Sequence, residues 1–202
     1  MNDGSLREEV EAIVSDFVDA SRDVGCHLPA LPKVEIRNTP GLIFIRGGVV
    51  TVPSWSDCSA DVIRIFEQWA TAAGRGCNSE QFFRETFNWF LVAHELGHFV
   101  QRFQGRKLSY WDGEVDANMI AVAYWQAKGE AERLQTLIKW AERVGASLPD
   151  PVPEGEDPVA FFNSNYAKLG QNPNAYGYFQ FAFFKEAYDA HPRFAELVTA
   201  ID

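Results

Sequence analysis

Two histidines four residues apart, His94 and His98, lie inside the run FNWFLVAHELGHFVQRF (87–103), in a chain with only four histidines. An α-helix turns once every ~3.6 residues, so side chains at that spacing share one face, about a turn apart. Two neutral imidazoles placed in this way can hold one zinc ion. Glu95 follows His94 and projects roughly 100° around the axis. That direction suits a carboxylate that takes a proton from a metal-activated water. Together these are the parts of H-E-x-x-H hydrolysis: two ligands and a general base. The run is apolar nearly all round, so its helix is predicted to be central and buried. Unpaired polar groups in such a place are costly, and a metal would satisfy both imidazoles.

Other elements must position these groups. Asn78 or Ser79 can cap the start of the helix, with Glu80 and Gln81 in its first turn and Asn78 and Gln81 at capping-box spacing. Gly105 offers its end, just after Arg102. A short connection then leads to WDGEVDANMIAVAYW, read as a second helix with Asp112 as N-cap and an apolar stripe of Val115, Met119, Val122 and Ala123. Helices joined by a short loop pack antiparallel, which brings the start of the second near His98. A catalytic zinc takes a third protein ligand and a water. Three acids stand there: Asp112, Glu114 and Asp116. Negative charge at a helix start accounts for Asp112 and Asp116. Glu114 is the preferred ligand, because Asn118 lies four residues on, on the same face. Asn118 can bond a histidine ligand or the local backbone and so fix ligand orientation.

HELGH followed by EVDAN, within roughly 82–125, resembles the gluzincin group of zinc metallopeptidases, and is similar to the compact intracellular ImmA/IrrE-type peptidases. The resemblance implies a zinc held by His94, His98 and Glu114, with Glu95 as general base. It implies hydrolysis of a protein or peptide, by an endopeptidase of narrow specificity. It also implies an oxyanion donor from the C-terminal half. Candidates are Tyr176, the first choice, then Tyr178 and His191. Finally, it implies that an edge strand, GLIFIRG or VVTVP, pairs with an extended substrate. The alternative is a non-catalytic binding or regulatory module that keeps zinc on the same scaffold and has no use for Glu95.

The 202 residues are expected to form one domain, 1–202, of the α+β class, mainly α and zincin-like. Residues 1–76 read as helix, small sheet and helix. Residues 78–128 carry the metal helices, and 129–202 a helical subdomain. KVEIRN, GLIFIRG and VVTVP, separated by TPG and GG, read as a small antiparallel or mixed sheet with meander order. Helices are predicted over 5–24, 59–73, 129–144, 159–169, 175–190 and 192–201. The proline-rich, acidic stretch 147–158 reads as a linker or mobile loop. A net charge of −10 without a Lys/Arg cluster argues against nucleic-acid binding. No run of eighteen apolar residues suggests a membrane span. The acidic, amphipathic N-terminus lacks a signal-peptide core, so a cytoplasmic location is expected. Three cysteines, Cys26, Cys58 and Cys77, make no paired framework and are expected as free thiols.

Overall fold

The computed structural model describes residues 3–29 and 32–199, mainly helical with one small sheet. Helix α1 (Asp3–Asp23) buries Leu6, Val10, Val14 and Phe17, the apolar face that its spacing predicts. Three strands follow: β1 (Lys33–Ile36), β2 (Phe44–Arg46) and β3 (Val49–Val52). Gly47 and Gly48 have φ of 57° and 74°, the positive values that a two-residue hairpin turn needs. They fold β2 back onto β3, with Arg46 opposite Val49. β1 joins the other side of β3 in parallel, so the order is β1-β3-β2.

This corrects the expected meander, and the reason lies at the edge. The outer side of β2 is taken by side chains. Ile45 N–H donates to Glu95 Oε2 at 3.0 Å, and Ile45 C=O accepts from Arg102 Nη2 at 3.3 Å. β1 therefore pairs with the free side of β3. VVTVP becomes the inner strand, paired on both sides, and is no edge for a substrate. The outer edge of β1 is capped as well, by Arg7 Nη1 donating to the Val34 carbonyl.

Helix α2 (Ala60–Ala73) is capped by Ser59, and α3 (Ser79–Phe83) by Asn78, whose side chain accepts from Gln81 N–H at 2.8 Å. The chain then makes a π-helical stretch, Arg84–Phe90, before α4 (Leu91–Phe103). A π turn inserts a residue and rotates everything after it. An all-round apolar run carries no phase in which that insertion could be read. Helix α4 stops at Gly105, φ 64°, where Arg106 N–H bonds the Gln101 carbonyl at 3.0 Å, a left-handed cap.

Helix α5 (Tyr110–Ala127) starts earlier than expected. Ser109, not Asp112, is its N-cap. The Ser109 Oγ accepts from Asp112 N–H at 3.1 Å and donates to the Asp112 carboxylate at 2.7 Å. Asp112 thus stands at the third helical position, bonded to the cap through both its backbone N–H and its carboxylate. Gly129, φ 81°, closes α5 rather than opening the next helix, so α6 spans Ala131–Ser147. Residues 148–157 hold neither helix nor strand, yet Leu148 and Val152 pack against apolar clusters. Then come α7 (Pro158–Leu169), α8 (Pro173–Asp189) and α9 (Phe194–Val198). The last is shorter than 192–201: Thr199 turns extended at ψ 138°, and residues 200–201 lie outside the described residues.

One large core joins α1, the sheet, α2 to α6, one face of α8 and α9. A second, aromatic cluster of Phe162, Leu169, Phe179 and Phe183 joins α5, α7 and α8. Among the described residues no helix is long and apolar enough to cross a membrane.

Candidate metal centre

Helices α4 and α5 approach closely at Gly97. A Cβ there would stand 3.1 Å from Ala117 Cα and 3.2 Å from its carbonyl oxygen. A side chain would push the helices apart, at a cost of about 1–3 kcal/mol for overpacking. The glycine of HELGH therefore lets α5 lie near enough to carry Glu114, one turn before Ala117, to the face shared by His94 and His98.

There Glu114 Oε2 is 3.3 Å from His94 Nε2, and Oε1 is 3.8 Å from His98 Nε2. The imidazole centroids are 4.7 Å apart, with planes at 89°. Ligand atoms about 2.0–2.1 Å from a tetrahedral ion stand roughly 3.3 Å from one another. The Glu114 oxygens stand near that distance from the two imidazoles, and the three ligand atoms together, within 4.8 Å of one another, would draw in around an ion. Two imidazoles and a carboxylate are also a known donor set for such an ion. Among the described residues, His94, His98 and Glu114 are the one group of three whose ligand atoms converge, all within 4.8 Å. This His-His-Glu group can bind a metal ion. His94 and Glu114 are each 3% exposed, whereas the His98 side chain is 19% exposed, so the group opens to solvent beside His98.

Glu114 is held from a second side. Tyr166 Oη donates to its Oε1 at 2.8 Å, Tyr176 Oη to the same oxygen at 3.2 Å, and Gln180 Nε2 to Oε2 at 2.9 Å. Burial would raise the carboxyl, but bonds from His94 and His98 and their charges hold it well below the usual carboxylate range. Burial likewise pulls His98 down, yet the neighbouring Glu114 carboxylate and the charge of Glu95 lift it to about 9 without a metal. Both phenols are pushed up, first by burial and then by the charge of Glu114. They are therefore donors at neutral pH.

Glu95 turns the other way, towards β2 and its bond from Ile45 N–H. Burial raises its carboxyl above the ordinary range, and the nearby His98 and His94 pull it only partly back. A carboxylate lifted towards neutrality is matched to accepting and returning a proton. Asn118 spends its amide on the Glu114 backbone carbonyl, at 2.9 Å, the local bond that was one of its two expected roles. His94 Nδ1 is buried and has no partner among the described residues. His98 Nδ1 has one, Gln101 Oε1 at 2.9 Å.

The remaining candidates fall elsewhere. Asp112 is engaged with Ser109, and Asp116 with Arg106 and Gln101. Tyr178 packs on Phe179, near the charge of Asp150. His191 follows the far end of α8, fifteen residues beyond Tyr176 and roughly 22 Å along the axis. Of the three candidate donors, Tyr176 is the one bonded to Glu114. Sequence reading missed Tyr166, Gln180, Gln101 and Ile45. Two of these carried a signal: Gln180 shares a helix face with Tyr176, and Gln101 with His98. No family model, curated protein or solved structure matches this chain.

Proposed function

We propose that this chain is a zinc-dependent peptidase that cleaves a protein or peptide substrate within its chain, in the cytoplasm, on a gluzincin-like scaffold similar to the ImmA/IrrE-type enzymes. The observation that carries this reading is the buried His94–His98–Glu114 group with a raised, adjacent carboxylate at Glu95. A purely structural metal needs the first three residues and has no use for the fourth.

Zinc, when bound by His94, His98 and Glu114, supplies Lewis acidity, polarising a carbonyl and acidifying a water. The chain's own residues do the rest. Glu95 takes the proton from the attacking water and returns it to the leaving nitrogen. Tyr176 turns its one phenolic hydrogen from Glu114 Oε1 to the oxyanion that develops at the scissile carbonyl. Tyr166 and Gln180 keep Glu114 oriented, so that its carboxylate cannot swing away. The aromatic cluster behind α7 and α8 holds both tyrosines in place and keeps bulk water off that side.

The test is Glu95→Gln, with zinc measured by elemental analysis and hydrolysis measured on a mixture of unfolded proteins. The expected result is about one zinc per chain in both forms, with fragments released only by the wild type. Zinc-loaded wild type that releases no fragments would leave the non-catalytic module.

A further inference from the structure

The two imidazoles of the metal group differ at the nitrogen that faces away from it. His94 Nδ1 has no partner among the described residues. His98 Nδ1 meets Gln101 Oε1 at 2.9 Å. An amide can offer either end to an imidazole, and its other bonds decide which. Gln101 Nε2 faces two acceptors: the Gly113 carbonyl at 2.8 Å and Asp116 Oδ2 at 2.9 Å. Neither acceptor can donate, a backbone carbonyl by nature and Asp116 because Arg106 Nη1 bonds both its oxygens, at 2.9 and 2.8 Å. The NH₂ end of Gln101 is thereby fixed on Gly113 and Asp116. Only its oxygen remains for His98, and an oxygen can only accept. His98 Nδ1 must then carry a hydrogen, which leaves Nε2 as the nitrogen that can give up its proton and offer a lone pair.

We infer that Gln101 is the positioning residue of the metal group: it fixes His98 in the tautomer that presents Nε2 to a metal, and it is itself fixed by Asp116 and Arg106. The chain of bonds runs further. Arg106 Nη2 donates to the Leu197 carbonyl, and Gln104 Nε2 donates to the Val198 carbonyl at 2.6 Å. The last turn of α9 is thus tied to the residues that orient a ligand on α4. Gln101 is 7% exposed, so its amide has no water to substitute for these partners. Buried amides must be satisfied within the protein.

This inference rests on the proposed metal reading for its purpose, but its geometry is testable without a metal. The experiment is a long-range ¹H–¹⁵N spectrum of histidine-labelled protein, metal-free and with zinc added, for wild type, Gln101→Leu and Gln101→Glu. In the wild type, His98 Nδ1 should stay protonated in both states, its hydrogen exchanging slowly with water. Nε2 should be the nitrogen that shifts on loading. Gln101→Glu keeps an acceptor for Nδ1–H and should keep that pattern. Gln101→Leu should lose the slow exchange and bind zinc about 10–100-fold more weakly, the usual effect of losing a partner behind a ligand. Both variants disturb Asp116, so the difference between them isolates the acceptor at His98. A wild-type spectrum with bare Nδ1, or fast-exchanging Nδ1–H, would overturn the inference. So would Gln101→Leu with unchanged exchange and zinc affinity. If the wild type takes up no zinc while Nδ1–H exchanges slowly, the metal reading fails and the positioning of His98 by Gln101 stands.

Discussion

The side of α4 that faces α5, α7 and α8 is crowded with bonds. Three donors from two other helices converge on Glu114, and His98 is backed by a chain that reaches α9. The side that faces β2 is sparse. Glu95 holds one backbone N–H there, and Arg102 one carbonyl. Ligands must not move when an ion binds, because each misplaced donor lowers affinity. A base must exchange partners, taking a proton at one moment and giving it up at the next. Many bonds on the first side and few on the second suit those two tasks.

That contrast can be broken most severely at Glu114. Glu114→Ala should take bound zinc from about one per chain to a small fraction by elemental analysis, since two imidazoles alone are a poor site. Zinc retained in full would mean that the crowded side is not the metal side. The next largest effect belongs to the sparse side. Glu95→Gln should keep the metal and lower kcat by about 10²–10⁴-fold, and equal activity in the two proteins would remove Glu95 from the chemistry. Tyr176→Phe should cost about 10²-fold in kcat with zinc content unchanged. An unaltered kcat would restrict Tyr176 to holding Glu114.

Two smaller effects sharpen the comparison. His98 is raised to about 9 in the metal-free protein, from an ordinary 6.5. A group bound more tightly to its proton when folded stabilises below its unfolded value, and that contribution drains away as pH rises to the folded one. Metal-free protein should therefore lose melting temperature between pH 6.5 and 9. Zinc replaces that proton, so the loaded protein should lose less. Equal slopes with and without chelator would contradict this. Last, Arg102→Met removes one exposed donor from Ile45 and should cost under about 1 kcal/mol in chemical denaturation. A larger loss would show the sheet side to be as tightly built as the other.

What could be read from the sequence follows the same division. His94, Glu95, His98 and Glu114 sit on two consecutive helices joined by a short loop, so periodicity alone brings them together. Asn78 as a cap and Gly105 as a stop are local signals, and both hold. Tyr166 and Gln180 reach Glu114 from residues 52 and 66 positions away, and no local pattern states how α7 and α8 pack. The sheet order escaped for a related reason. Strand runs and the Gly47–Gly48 turn are local, but the edge of β2 is occupied by Glu95 and Arg102, fifty or more residues away in the chain. The π turn at Arg84–Phe90 escaped because Phe83, Phe87, Trp89 and Phe90 leave no polar face whose phase could show it.

The capped edges have a consequence for encounters with other chains. An open strand edge is a template that any extended peptide can copy, including another copy of the same protein. Here a visitor at Ile45 must first dislodge a carboxylate and a guanidinium that are tethered beside it and so are always present at high local concentration. A passing segment with nothing but its backbone to offer will lose that competition. Only a segment with further contacts of its own can win it, so admission at this edge is set by competition with the protein's own side chains.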